Sequence, residues 1–287
     1  MQYLLTAWKK IKPLMEAHVL LLFLDYDGTL TPIVKHPRLA RLSPAGRKVL
    51  RDLVLTKELK TAIVSGRSLA ELKNMIGVKG LIYVGNHGLE LEGLGLRFTH
   101  PDALRTKKLI RSIRRQLDTA FKSFPKIFVE DKTFTLSVHY REVPLKKVEQ
   151  ARDILLKVLG PYFRSSTVHM SEGKKVWEIR PLRWNKGAVI LWLYRRVLAR
   201  TAADKVLPIY VGDDQTDEDG FKALKRKGLS IKVMEDPREE TQADCFVRSP
   251  EEVLKFLKRL CVLKERRKSH GTVSFLHSGS SSRTDRP

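Results

Sequence analysis

Short unbroken apolar runs recur along the chain, and stretches whose apolar residues keep helical spacing separate most of them. Residues 21–26, 61–65, 81–85, 207–212 and 230–234 have the length and composition of buried strands. Strands that are apolar on both faces belong to parallel sheets covered by helices. The alternation therefore predicts an α/β fold, a doubly wound parallel-sheet core of Rossmann-like type. Between His100 and Pro181 the pattern changes. A basic amphipathic helix over about 102–123 precedes strands at 127–130 and 133–140. A second helix over about 145–160 precedes strands at 165–170 and 176–180. Helix, strand, strand, twice over, describes a small antiparallel sheet with helices on one face, an α+β cap inserted into the core as a lid. The expected organisation is a lead over 1–18, a core built from 19–100 and 182–262, the cap over 101–181, and a disordered tail over 263–287.

The strands end in chemistry. The run 19–24 leads straight into Asp25-Tyr26-Asp27-Gly28-Thr29-Leu30, and open α/β sheets place their sites at the carboxyl ends of strands. Two positions apart, Asp25 and Asp27 face one side while Tyr26 points back to the core. One carboxylate can attack an electrophile; the other can donate a proton to what leaves and later take one from water. An Asp-Gly strand end is also ordinary turn chemistry, so the other junctions matter. Thr61-Ala62-Ile63-Val64-Ser65-Gly66-Arg67 ends a second strand in a hydroxyl and a glycine amide, which suit an anion as well as a helix cap. Lys186 opens a helix carrying Val189, Ile190, Leu193 and Val197. A lysine in the first turn opposes the helix dipole unless an anion sits there. Ile209-Tyr210-Val211-Gly212-Asp213-Asp214-Gln215-Thr216-Asp217-Glu218 is again a strand ending in carboxylates. Such crowded acidic groups are best reconciled by a hard divalent cation with oxygen ligands, and no His/Cys cluster favours zinc.

In this order the four segments resemble the haloacid dehalogenase-like phosphohydrolase superfamily. With Val84-Gly85-Asn86-His87-Gly88-Leu89-Glu90, Val129-Glu130-Asp131-Lys132, Val138-His139-Tyr140-Arg141 and Gly173-Lys174-Lys175-Val176-Trp177-Glu178-Ile179-Arg180-Pro181, the set is similar to the trehalose-6-phosphate phosphatases from about residue 21 to residue 260. The resemblance implies that the core performs phosphoryl transfer and the lid reads the sugar of trehalose 6-phosphate. It implies Mg²⁺ at Asp25, the Asp27 carbonyl and Asp213, with Asp214 and Asp217 orienting its waters or Lys186. Asp25 is then the nucleophile and Asp27 the acid and base, with Ser65, the Gly66 amide and Lys186 on the phosphoryl oxygens. Carried over as substrate-binding candidates are Gly66, Arg67, Glu130, Lys132, Arg141, Lys174, Lys175 and Glu178, and Asn86, His87 and Glu90 shape the pocket. A sucrose phosphate or glycosyl-phosphoglycerate phosphatase is the nearest alternative; a basic binding module without catalysis is the alternative of another class.

Composition adjusts this only at the edges. With 287 residues, 42% of them hydrophobic, the chain can bury a sizeable core. Cys245 and Cys261 cannot form a disulfide framework, and no apolar stretch approaches a bilayer span. Lys9, Lys10 and Lys12 precede the apolar run as in a signal peptide, but that run is six residues long and cleavage beyond it would remove Asp25. A cytoplasmic enzyme is expected, with no membrane association. The formal charge of +23 exceeds what one small dianion requires. The basic residues are mixed with acidic ones along helices, without interleaved aromatics, so a nucleic-acid partner is not expected. The expected partners are a small sugar phosphate and a trehalose-phosphate synthase.

Overall fold

A computed structural model describes residues 1–34, 36–182, 184–199 and 205–273, with the side chains of the last eight of these left aside. In chain order the elements are β1 (Gln2–Tyr3), α1 (Leu4–Ala17), β2 (Val19–Leu24), α2 (Pro44–Leu55), β3 (Leu59–Val64), α3 (Leu69–Ile76), β4 (Ile82–Gly85), β5 (Glu90–Gly93) and β6 (Leu96–Thr99). Then follow α4 (Pro101–Ala120), β7 (Phe128–Asp131), β8 (Leu136–His139), α5 (Leu145–Arg164), β9 (Val168–Gly173) and β10 (Val176–Pro181). The chain closes with α6 (Lys186–Leu198), β11 (Val206–Gly212), α7 (Glu218–Leu224), β12 (Leu229–Val233), β13 (Cys245–Val247) and α8 (Pro250–Val273).

One sheet has the order β1-β13-β12-β11-β2-β3-β4-β5-β6, parallel from β1 to β4 and antiparallel where β4 meets β5 and β5 meets β6. Its two faces are buried by different helices, which is why the central strands read as solid apolar runs. Leu20, Leu22 and Leu24 pack with α2, α3 and α8 through Leu50, Leu72 and Phe256, while Leu21 and Phe23 pack with α6 and α7 through Ile190 and Phe221. Each such fully buried side chain stabilises the fold by about 1.5–3 kcal/mol relative to exposure. The second sheet, β7-β8-β10-β9, is antiparallel throughout. Its inner face buries Val129, Leu136, Val138, Trp177 and Ile179 against α4 and α5.

The structure departs from the sequence reading at the chain's ends and at the sheet edge. The lead is a short edge strand and a helix: β1 pairs with β13, and Leu4 and Met15 of α1 are fully buried. Its three lysines and the internal Pro13 interrupt the helical pattern. Helix α8 carries the chain to Val273 through buried Leu260 and Leu263, so the first part of the expected tail is helical. The remainder, 274–287, lies outside the described residues. Strands β5, β6 and β13 are too short to stand out as apolar runs. In the cap, β8 starts only at Leu136 because Thr133 adopts φ +75° in a turn, and β9 starts only at Val168 because Ser165 still caps α5. Among the described residues no helix is long and apolar enough to cross a membrane.

Candidate active site

Strand order reverses between β2, which continues to β3, and its other neighbour β11. Such a switch point leaves a crevice beyond the carboxyl ends of the strands, and Asp25, Ser65 and Asp213 follow directly from β2, β3 and β11. Asp25 is anchored by its backbone amide, which donates to the Val211 carbonyl at 2.9 Å. Tyr26 turns into the core and is fully buried, as the two-residue period requires. Gly28 adopts φ +86°, and a Cβ there would fall inside the Asp213 carboxylate. Glycine is thus what lets the β2 and β11 loops meet.

Asp25, Asp213 and Asp217 are all buried, and one carboxylate oxygen from each lies within 4.8 Å of the others. Lys186 Nζ donates to Asp25 Oδ1 at 2.7 Å and to Asp217 Oδ1 at 2.6 Å. The anions that compensate its place at a helix start are therefore the protein's own carboxylates. Asp217 has no lone pair to spare: it also accepts from Tyr210 Oη and from the backbone amides of Asp213 and Asp214, both at 2.9 Å. Burial would raise its pKa, but the Lys186 charge and these hydrogen bonds outweigh that and hold it low. Asp25 and Asp213 are less well compensated. Burial pushes Asp25 well up, with the Asp217 and Asp213 charges adding to it against Lys186. Burial and the Asp217 charge push Asp213 up to about 7. Lys186 stays a cation despite burial because Asp217 and Asp25 hold its proton. Asp214 lines the same cavity but caps the turn that follows, through the Gln215 amide at 2.6 Å. Glu218, the last of the acidic cluster, points elsewhere, to Lys232 at 3.2 Å and the Gln242 amide at 2.8 Å.

Ser68, not Ser65, caps α3 through the Glu71 amide, which leaves Ser65 and Gly66 facing the cavity. Arg67 takes both oxygens of Asp27, each at 2.7 Å, and also donates to the Pro37 carbonyl at 2.7 Å and to Glu71. Sequence spacing does not reveal this fork, which joins residues forty positions apart.

The cap sheet roofs the crevice with its other face. Register aligns Glu130 with Ser137 and Ser137 with Glu178 across β7, β8 and β10, and beside that row Phe128 with His139 and His139 with Val176. Glu178 accepts from Ser137 Oγ at 2.8 Å and from buried Lys132 at 3.4 Å. Burial would raise its pKa, but Lys132 and the hydrogen bonds hold it far below the usual range. Glu130 accepts from His139 Nε2 at 2.9 Å. His87 rises from the core beneath them; burial lowers its pKa, and its Nε2 lies 3.5 Å from Glu178 Oε2 with no hydrogen-bond partner. Together with Arg141 and Lys174, the side chains of Glu130, Lys132, His139, Glu178 and His87 enclose a cavity of about 270 Å³ over Asp25, Asp27, Ser65, Lys186 and Asp213.

Four sequence candidates fall outside its lining, the first being Asp217, held beneath it by Lys186 and Tyr210. Asn86 and Glu90 form a joint between core and cap: Asn86 Nδ2 donates to Glu90 at 2.5 Å and to the Lys132 carbonyl at 3.1 Å, and Asn86 Oδ1 accepts from Thr135 at 2.7 Å. Lys175 sits at φ +65° in the β9-β10 turn and does not reach the cavity, whereas Lys174 does.

A sequence model of the trehalose-phosphatase family matches residues 23–251. The chain belongs to that family. It is accordingly a phosphoric monoester hydrolase, 34% identical over 259 residues to trehalose-phosphate phosphatase B of Arabidopsis thaliana, covering 86% of this chain and 67% of that one. It is similarly 34% identical to probable trehalose-phosphate phosphatase 4 of Oryza sativa subsp. japonica, over 92% of this chain and 72% of the relative. The trehalose-6-phosphate phosphatase C-terminal domain of C. albicans superposes with a TM-score of 0.76 at 25% identity, covering 88% of this chain and 97% of that domain. A haloacid dehalogenase-like hydrolase from B. subtilis, 14% identical, shares the fold at a TM-score of 0.55 over 84% of this chain and 99% of that one. The doubly wound core with a cap is thus the haloacid dehalogenase-like fold expected from sequence. Among the residues that sequence reasoning passed over in this family member are His139, Ser137 and Tyr210. His139 stood within a quoted motif, and alternation on β8 puts it on the same face as Ser137.

Proposed function

We propose that the protein hydrolyses trehalose 6-phosphate to trehalose and phosphate, with Asp25 as nucleophile and a divalent cation, Mg²⁺, as cofactor. The observation that carries this reading is one cavity whose floor is Asp25, Lys186 and Asp213 and whose roof is Glu130, Lys132 and Glu178. The donor set fits a hard cation. Asp25 and Asp213 are buried carboxylates that burial leaves inclined to protonate, all-oxygen and without soft ligands, whereas Asp217 is committed to Lys186 and Tyr210. Bound by Asp25, Asp213 and the Asp27 carbonyl, the ion would neutralise charge on the phosphoryl oxygens.

Asp25 attacks phosphorus in line and the P–O bond to the sugar breaks, leaving a phosphoaspartate. Asp27, freed from Arg67 and carrying a proton taken from solvent, protonates the departing sugar oxygen, then takes a proton from the water that hydrolyses the phosphoaspartate. Ser65, the Gly66 amide and Lys186 stabilise the equatorial oxygens. Glu130, Glu178, Lys132, Arg141 and His87 supply fixed donors and acceptors for sugar hydroxyls, and the lid over 101–181 sheds water as it closes. A trehalose-phosphate synthase is the partner this chemistry calls for, and a cytoplasmic setting suits two buried free cysteines.

The test is phosphate release across a panel of sugar phosphates. Trehalose 6-phosphate should be hydrolysed with a kcat/KM far above that of glucose 6-phosphate and sucrose phosphate; preference for another member, or no release at all, would overturn the reading. The pH dependence of cation binding is a separate check. Because burial raises both Asp25 and Asp213, the latter to about 7, protons compete with the cation, and Mg²⁺ affinity should rise with pH from 5 through 7. Calorimetry in buffers of different ionisation enthalpy should show proton release on binding at pH 6; an affinity independent of pH between 5 and 7 would contradict it.

A further inference from the structure

Lys174 is placed unlike the other cap residues of the cavity. Gly173 pairs with Val176, so Lys174 and Lys175 form the whole tip of the β9-β10 hairpin. The tip is pressed on the core: a Cβ on Gly173 would stand 2.8 Å from Asp214 Oδ2. From there Lys174 Nζ reaches Asp213 Oδ2 at 2.6 Å. Arg141 fastens the same tip, donating to the Lys174 carbonyl at 2.8 Å and to the Val34 carbonyl of the core at 2.7 Å.

Charge explains why the contact forms. Asp25, Asp213 and Asp217 bring three carboxylates together, and among the described residues Lys186 ion-pairs with Asp25 and Asp217 alone. Asp213, its side chain 1% exposed, has no cation within ion-pair distance other than Lys174 among the described residues. A buried carboxylate left without a counter-charge is costly. Lys174, whose side chain is 49% exposed, is by contrast easily returned to water.

We infer that Lys174 is the exchangeable counter-ion of the metal-free site: its ammonium and the divalent cation compete for Asp213, so that metal loading releases the hairpin tip from the core. The inference rests on the reading above that Asp213 binds the cation. Lys174 is then a positioning residue that couples cation occupancy to the attachment of the cap. The coupling is reciprocal, since whatever frees the tip must favour the cation to the same degree.

The test is Mg²⁺ binding to the full chain by calorimetry without substrate. Lys174→Met should bind Mg²⁺ about 3- to 10-fold more tightly than the parent, and Lys174→Arg should stay near the parent. Lys175→Met removes the same charge one residue away without touching Asp213, and should change the affinity by less than about twofold. Hydrogen exchange supplies a second readout: Mg²⁺ should speed exchange at the hairpin tip of the parent, and the tip of metal-free Lys174→Met should already exchange at that faster rate. Equal affinities in parent and Lys174→Met, or equal tightening by Lys175→Met, would overturn the inference and leave the phosphatase reading intact. No Mg²⁺ binding by any of the proteins would remove that reading of the cation site and this inference with it.

Discussion

Asp25→Asn should lower phosphate release from every monoester by at least about 10⁴-fold while leaving the thermal transition within a few degrees of the parent. The fold should tolerate the change because Asn keeps the shape and Lys186 retains Asp217 at 2.6 Å. Asp27→Asn should behave differently. On the sugar phosphate the loss of the general acid should cost about 10²- to 10⁴-fold. An activated aryl phosphate needs little acid assistance, so it should still phosphorylate Asp25. The variant should then release aryl alcohol in a burst near one equivalent, followed by slow turnover, because the base for the second step is missing. Arg67, deprived of its fork, keeps Glu71 and the Pro37 carbonyl, so gross unfolding is not expected. Rapid-mixing kinetics on both substrates is the measurement. Equal damage by the two substitutions on the aryl phosphate would take the acid role away from Asp27.

The second large effect separates sugar recognition from chemistry. Glu178→Gln should reduce kcat/KM for trehalose 6-phosphate by about 10- to 100-fold, the worth of a hydrogen bond to a charged group, with little change on a small aryl phosphate that never meets the lid. Glutamine is the informative replacement, because it keeps an acceptor for Ser137 and Lys132. Glu178→Ala would leave the Lys132 ammonium, 7% exposed, with Glu130 at 4.0 Å as its one ion-pair partner among the described residues. Breaking such a buried pair destabilises by about 3–5 kcal/mol, so alanine should also lower the melting temperature. The loss should be shared between kcat and KM, because lid closure completes the site. Proportional loss on both substrates would mean that Glu178 supports the fold or the core site, and the specificity for trehalose would then have to reside elsewhere in the roof.

Much of this placement is legible in the chain itself. The runs that became β2, β3 and β11 are solidly apolar because helices cover both faces of the sheet. A strand of that kind must discharge its polar residues where it ends. That is why Asp25, Ser65 and Asp213 could be assigned to one crevice from local pattern alone. Tyr26 pointing inward between two outward carboxylates is the same period-two argument. The cap's helix-strand-strand repeat was equally visible. What the local pattern missed were elements too short to carry a period, such as β5 and β13, and helix α1, whose lysines and Pro13 mask its apolar stripe.

The sequence by itself determined that paired aspartates, a serine and an acidic loop stand at the ends of parallel strands, with a lysine at a helix start, beneath an antiparallel lid, and it identified the family. Only the tertiary structure decided how those groups divide the work. Asp217 went to Lys186 and Tyr210, Glu218 to Lys232, and Asp213 to Lys174 at the tip of the cap hairpin. Asn86 and Glu90 became a joint, and Lys174 rather than Lys175 entered the cavity. The reason is one of range. The alternation of side chains along a strand is local and can be counted from residue to residue. The partner of a buried charge is set by strand register and hairpin conformation across separations such as the 161 residues between Asp25 and Lys186, where desolvation forces each charge to the nearest counter-charge that folding brings to it.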